Sequence, residues 1–378
     1  MKTDVSKAFE KHFSTLVDPR VKRKKLYPLI EILFVVLCGT VCGAESWRDY
    51  VLFGKEKTDF LRQYFAFING IPSKDTFARL FAVLDTKVFK ICFTEWVKSL
   101  QAALKDIIAI DGKTLCNSID GRSNTPAIHM VSAFATEARL ILAQQKVNEK
   151  SNEITAIPLL LDLLNLKGNI ITIDAMGCQK AIAEIIQEKE ADYVLALKSN
   201  HGTLHEDVKL FLEAEAVKKS SVLIEDSHEE IDAGHGRIET RKCIVSSQID
   251  WIEQRLEWPG LKTIAMIKET REIGNKKSIE HRFFISSLAA DAKKIASAVR
   301  AHWLIENALH WTLDVVFNED YSRIRKKNAG QNMAIVRHTV LNMLNNAKKA
   351  FKGTGIKALR KKAAWGNSTL DFILKQNF

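Results

Sequence analysis

No two cysteines in this 378-residue chain are spaced as CxxC: Cys38, Cys42, Cys92, Cys116, Cys178 and Cys243 lie scattered, so neither a disulfide framework nor a zinc knuckle is encoded. They read as reduced thiols. No apolar run is long enough to span a bilayer: the stretch from Leu29 to Ala44 is short and carries Glu31 and two glycines. No basic-then-apolar leader with a small-residue cleavage site opens the chain, and a cytoplasmic protein without a membrane segment is expected. Internal repeats and low-complexity segments are lacking too. Two phosphate-handling motifs fail. Gly112-Lys113-Thr114 looks like the end of a G-x-x-x-x-G-K-T loop, but Ile107 stands where its first glycine belongs. Asp111-Gly112 looks like the end of a D-x-D-G-T nucleophile loop, but Ala109 stands where its first aspartate belongs.

Acidic residues are in deficit, 45 against 56 Lys and Arg, which leaves a net charge of +11. Such a balance points to polyanionic partners, nucleic acid first, although ribosome-associated and membrane-surface proteins share it. What is present is an ordinary globular composition, 46% hydrophobic and 27% charged, in a chain long enough for two or three domains.

Residues 1–104 alternate amphipathic helical patterns with charged connectors and read as a separate helical domain, a candidate for DNA binding. A basic cluster lies at Arg20, Lys22, Arg23, Lys24 and Lys25. Pro28 opens a helix whose core face runs from Ile30 to Cys42. Ser73 caps another helix, which displays Lys74 and Arg79 in a way that could suit a DNA groove or plain solvent.

From 105 to 350 the pattern is α/β. A strand ending at Asp111 is followed by an antiparallel pair (His129 to Ala135, Leu140 to Lys146) and a helix that starts at Ser151 and stops at Gly168. A strand ending at Asp174, a helix from Gln179 and the strand Tyr193 to Leu197 complete the series. Strand, hairpin, helix, strand, helix, strand is the order of an RNase H-like core. At about 202–290 the pattern breaks into an inserted β-containing subdomain, where basic residues alternate along His235 to Arg241. Arg323-Ile324-Arg325-Lys326-Lys327 and Arg360-Lys361-Lys362 follow, and 351–378 reads as a basic C-terminal tail.

Ala301 to Val315 places ionisable groups on a helix that should be buried. At α-helical spacing His302, Glu306, Leu309, His310 and Leu313 form one stripe, with Trp303 and Trp311 beside it to anchor the helix in a core. Ile107 to Asp111 and Gly168 to Asp174 are short apolar runs presenting Asp at their tips, where open α/β sheets bind ligands. If Asp111, Asp174 and Glu306 meet there, they offer hard oxygen ligands suited to Mg2+ or Mn2+, and two such ions serve phosphoryl transfer. Zinc on His302, Glu306 and His310 is the alternative. Asp314, Glu319 and Asp320 are rivals to Glu306, although Glu319 and Asp320 read as solvated and Asp314 lies off the stripe.

Five segments carry a resemblance: Ile110 to Thr114, Ser151 to Pro158, Thr172 to Lys180, His235 to Glu239 and His302 to Trp311. Together they closely resemble the H-repeat-associated insertion-sequence transposases, which are DDE transposases, in family order from about Asp18 to Ala364. The resemblance implies an RNase H-like catalytic domain that cuts double-stranded DNA at transposon ends and joins the freed 3′-hydroxyl to target DNA. It implies two Mg2+ or Mn2+ ions on Asp111, Asp174 and Glu306, and a homodimer on DNA. In related transposases the glutamate lies in a Tyr-x-x-Arg-x-x-x-Glu-x-x-x-x-x-x-Lys signature, whose other positions here hold Val299, His302 and Leu313. Candidates for the phosphate contacts are Lys113, Lys198, Arg300 and His302, with Arg237, Arg241, Arg323, Arg325 and Lys326 as further basic side chains. A DNA-binding protein that has lost catalysis, and a nuclease on the same fold that hydrolyses without joining, remain as alternatives.

Overall fold

The computed structural model describes residues 3–21, 25–100, 105–119, 126–148, 151–218, 221–234 and 236–378. Lys22, Arg23, Lys24 and His235 lie outside the described residues.

Among the described residues nine strands form one mixed sheet: β1 (Ile107–Leu115), β2 (Ile128–Ala135), β3 (Leu140–Lys146), β4 (Ile170–Ile173), β5 (Asp192–Leu197), β6 (Asp226–Gly234), β7 (Arg237–Ser246), β8 (Thr263–Ile273) and β9 (Lys276–Ser286). Their spatial order is β3-β2-β1-β4-β5-β9-β8-β7-β6, with β1, β4 and β5 parallel. The first five strands realise the RNase H-like order. The β4 sequence Ile-Ile-Thr-Ile is short and apolar because helices cover both faces of the sheet there.

The insertion does not stand apart as a layer of its own. Its last strand, β9, pairs antiparallel with β5 from Val194↔Ser286 to Leu197↔Phe283, so the insertion prolongs the core sheet. The free edge of β5 would otherwise expose a row of unpaired backbone groups.

Helices cover the sheet. Ile182, Ala183 and Ile186 are the buried face of the helix Lys180–Glu188. Across the sheet, the helix Ala292–Leu304 sets Ile295, Ala298 and Val299 against Val194, Val245 and Phe284.

The amino-terminal helices include Asp4–Phe13, Leu29–Val41, Trp47–Glu56, Lys74–Val83 and Thr86–Leu100. Ser73 occupies the N-cap position of Lys74–Val83. The Leu29–Val41 helix is buried from Glu31 to Val41, and among the described residues no helix is long and apolar enough to cross a membrane.

Residues 351–378, expected as a basic tail, are folded. Helices Ile356–Trp365 and Asn367–Lys375 pack against the amino-terminal helices through Leu359, Ala363, Leu370, Ile373 and Leu374, all 0% exposed. Trp96 Nε1 donates to Asn377 O at 3.0 Å, and Tyr64 OH lies 2.6 Å from Asp371 Oδ1. Arg360 turns inward, donating to Thr40 O at 3.0 Å with its guanidinium 4.2 Å from the Phe317 ring. The basic letters masked an apolar spacing of three and four residues that a packed helix requires.

Candidate active site

Parallel pairing aligns Ile110 of β1 with Ile173 of β4, so the next residues, Asp111 and Asp174, stand side by side; β4 ends there, but β1 does not end at Asp111 as expected and runs on to Leu115 along β2. Asp174 Oδ1 accepts from the N–H groups of Met176 and Gly177, both at 3.1 Å, which ties its carboxylate into the turn leaving the strand. Burial, followed by the negative charges of Glu153, Asp174 and Glu306, pushes the Asp111 carboxyl up to about 7, against a backbone hydrogen bond from Gly112 that lowers it. Its nearby imidazole, His310 Nδ1 at 3.6 Å, supplies no compensating charge, because burial drives His310 down to about 4.

The helix after residue 304 departs from the expected stripe. Ile305–His310 is a π-helical turn between Ala292–Leu304 and a short α-helix, Trp311–Val315. Its extra residue per turn breaks the spacing of three and four on which the stripe relied. Trp303 and Trp311 are 41% and 56% exposed and do not anchor the helix. Ile305, Leu309 and Leu313 do, at 1% exposure or less. Glu306 is consequently exposed, and it lines the same cleft of ≈ 900 Å³ as Asp111 and Asp174.

His302 pairs with Thr172 Oγ1 at 3.0 Å, and burial lowers its pKa, so it serves as a neutral packing partner and not as a phosphate cation. Among the described residues no three His, Cys, Asp or Glu side chains are already gathered as a metal site. His302 and His310 are engaged separately, with Thr172 Oγ1 and beside Asp111, and do not converge with Glu306 as a zinc set would. The three carboxylates likewise share a cleft without being closed around a point.

Two domain descriptions match the chain: "DDE_Tnp_1-associated" over residues 10–97 and "Transposase DDE domain" over residues 79–343. This chain belongs to the DDE transposase family. It is 44% identical over 368 residues to "Putative transposase YncI" of Escherichia coli O157:H7, covering 96% of this chain and 93% of that protein. It is 42% identical over 374 residues to "H repeat-associated putative transposase YhhI" of Escherichia coli K12, covering 97% and 98% respectively. "Inactive transposase YbfQ" of the same strain is 42% identical over 74 residues, 20% of this chain and 88% of that protein.

In this DDE transposase the basic candidates divide. Lys113 Nζ is held by Asp314 at 2.7 Å and Asp320 at 2.9 Å, with Glu319 at 3.9 Å, and is only 10% exposed. It is surrounded by carboxylates and closed to a phosphate. Glu319, expected to be solvated, is 2% exposed because Arg337 Nη1 meets it at 3.2 Å.

Arg237 and Arg241 line the cleft, but both bind Glu239, as does Arg271 opposite it on β8. Arg300 lies 3.9 Å from Asp232. Lys198, at the carboxyl end of β5, is exposed and lines the cleft. Arg323 and Lys326 are exposed and do not line the cleft, and Arg325 donates to Ile119 O at 2.9 Å.

Sequence reasoning missed Glu153 and His129. His129 Nε2 lies 2.6 Å from Glu153 Oε1, and its Nδ1 lies 2.8 Å from Thr114 Oγ1. The pair sits against Gly112, where an added Cβ would come within 2.1 Å of Glu153 Oε1 and 2.6 Å of His129 Nε2. Only the absence of a side chain admits the pair. Gly112→Ala is expected to lower stability by about 1–3 kcal/mol through overpacking, measured by urea unfolding. A variant as stable as the parent would show that the pair gives way freely.

Proposed function

We propose that this transposase cleaves DNA at the ends of its insertion sequence and joins the freed 3′-hydroxyl to target DNA, with Asp111, Asp174 and Glu306 as ligands for two Mg2+ or Mn2+ ions. The observation that carries the reading is the register of β1 and β4, which brings two sequence-distant aspartates to one crevice faced by Glu306. DDE transposases generally use divalent metal ions, and the donor set here fits them. The three groups are hard oxygen donors, Asp111 is desolvated beside like charges, and Lys113, two residues along β1, is committed to other carboxylates.

Divalent ions bound here would activate the attacking oxygen and stabilise the leaving one. The chain's own part is to present two carboxylates from neighbouring strands and a third from the helix facing them. Substrate phosphate oxygens would complete the coordination that the three side chains leave open.

Positive charge is concentrated in residues 348–378, where eight Lys and Arg stand against one acidic residue, Asp371. Seven of the eight are exposed lysines, including Lys348, Lys352, Lys357 and Lys361. A duplex bound through such side chains would be held chiefly by its backbone, and two transposon ends call for two copies of the chain. For roughly 6–10 phosphate contacts, DNA affinity is expected to fall about 10³–10⁵-fold between 50 and 200 mM salt. Affinity that stays flat across that range in fluorescence anisotropy would count against the reading.

The decisive test incubates purified protein with DNA from the flanks of its own gene plus Mg2+ or Mn2+, scoring nicks and joined products. Both are expected, and Glu306→Gln is expected to abolish both. Nicks without joined products would instead indicate a hydrolytic nuclease, and binding without nicks a DNA-binding protein.

A further inference from the structure

We propose that Lys113 is a positioning residue: its ion pairs to Asp314 and Asp320 lock the tip of β1, with Asp111, to the helix that carries Glu306, and so set the gap that a divalent cation must fit. The inference rests on the cleavage reading above. Its starting point is an asymmetry in the sheet. β1 runs from Ile107 to Leu115, but its parallel neighbour β4 accompanies it only from Ile107 to Ile110. From Asp111 onward β1 is held at its side by β2 alone. The segment bearing the first carboxylate would therefore rest on one row of backbone hydrogen bonds.

Lys113 supplies the missing support. Side chains two apart on a strand share a face, so Lys113 leaves β1 on the same side as Asp111. Its ammonium meets Asp314 Oδ1 at 2.7 Å and Asp320 Oδ1 at 2.9 Å, with Glu319 Oε2 at 3.9 Å.

Asp314 belongs to Trp311–Val315, which continues without a break from the π-helical turn that holds Glu306. That stretch is seated by Ile305, Leu309 and Leu313, so a restraint on Asp314 is transmitted to Glu306 as by a short rod. Beyond it, Glu319 is gripped by Arg337 at 3.2 Å, and Arg337 donates to Ser322 Oγ at 2.8 Å. These contacts fasten the clamp to the helix Ala329–Lys348. Asn117 Nδ2 donates to Asp320 O, and the Cys116 N–H reaches Asp320 Oδ1 at 3.4 Å, which ties in the chain just past β1.

Charge arithmetic separates this role from phosphate binding. Lys113 and Arg337 face Asp314, Glu319 and Asp320, so the group carries one excess negative charge. A phosphate approaching Lys113 would meet three carboxylates first.

The test uses the full chain as Lys113→Gln and Asp314→Asn, with circular dichroism to establish folding. Mn2+ affinity is measured without DNA, from the melting temperature as a function of Mn2+ concentration. DNA affinity is measured against salt without metal, and cleavage against Mn2+ concentration. Both variants are expected to bind Mn2+ about 10–100-fold more weakly, as when groups that orient metal ligands are removed. DNA affinity and its salt slope should match the parent. Cleavage should return towards the parental rate at high Mn2+, and the double variant should bind Mn2+ no worse than the weaker single, because the two residues act through one contact.

Parental Mn2+ affinity in both variants overturns the clamp while leaving the cleavage reading intact. So does a Lys113→Gln variant that retains Mn2+ affinity but loses DNA affinity with a salt slope smaller by about one, the mark of a lost phosphate contact. If Lys113→Gln does not fold, Asp314→Asn, whose side chain is 33% exposed, decides by the same Mn2+ measurement. A parent that binds no Mn2+ and cuts no DNA overturns both readings together.

Discussion

Asp111→Asn is expected to eliminate strand cleavage and, in the same molecule, to make the metal-free protein more stable at neutral pH. The first effect follows from the loss of a charged ligand. Metal ions contribute several kcal/mol to transition-state charge stabilisation, so cleavage should fall by about three decades or more. DNA binding should remain, since Asp111 neutralises no phosphate.

The second effect follows from linkage. The carboxyl rises from an ordinary 3.8 to about 7 in the folded chain, so between those values the native state holds a proton that the unfolded state has released. Stability of the metal-free parent therefore declines as pH rises from about 4 to about 7, and above 7 the full penalty applies. A rise of about three pH units corresponds to about 4 kcal/mol at most. Asn carries no charge to bury, so the variant should gain up to that amount at pH 8 and almost nothing at pH 4. Urea unfolding in EDTA across pH 4–8 measures this. Adding Mn2+ should stabilise the parent more than the variant. A variant that cuts as fast as the parent sinks the ligand assignment. One that unfolds identically at pH 8 sinks the claim of an uncompensated buried charge.

Glu319→Gln is expected to have the largest cost in stability of any acidic substitution near the site. The side chain is 1% exposed and lies between Arg337 and Lys113. Burial moves its carboxyl above the ordinary value while Arg337 and then Lys113 pull the other way. Removing the negative partner leaves a guanidinium in the interior without a counter-charge, and breaking such a pair costs about 3–5 kcal/mol. Thermal unfolding should show the loss. Cleavage per folded molecule, assayed well below the melting temperature, should fall far less than in Glu306→Gln. The reverse ranking would move the proposed third metal ligand from Glu306 to Glu319.

The residues named before the structure sort by the range of the forces acting on them. Asp111 and Asp174 were legible because each ends a short apolar run, and such a run flanked by turns has few fates other than a buried strand. The core strand order followed from the same patterns.

Glu306 was singled out for a mistaken reason. The stripe assumed an unbroken α-helix with buried tryptophans, whereas the chain forms a π turn at Ile305–His310 and leaves Trp303 and Trp311 partly exposed. A helix-period argument cannot register a π turn, since its stability comes from what packs against it. Arg237 and Arg241 read as free basic side chains, but both pair with Glu239 between them on β7, and Arg271 joins the same carboxylate from β8. No spacing within β7 announces a partner on β8.

Local order therefore determined much by itself: the alternation and apolar runs that make the strands, the helices between them, the positive balance and the two aspartates that close apolar runs. Only the tertiary structure decided which charges are free. It brought Asp314, Glu319 and Asp320 to Lys113, Arg337 to Glu319, and the His129–Glu153 pair against Gly112. Hydrophobic patterning is written in periods of two to four residues and can be read along the chain. A charge's partner is set by whatever the fold carries within about 4 Å, where attraction is strong enough to offset desolvation, and for Lys113 that partner is some two hundred residues away.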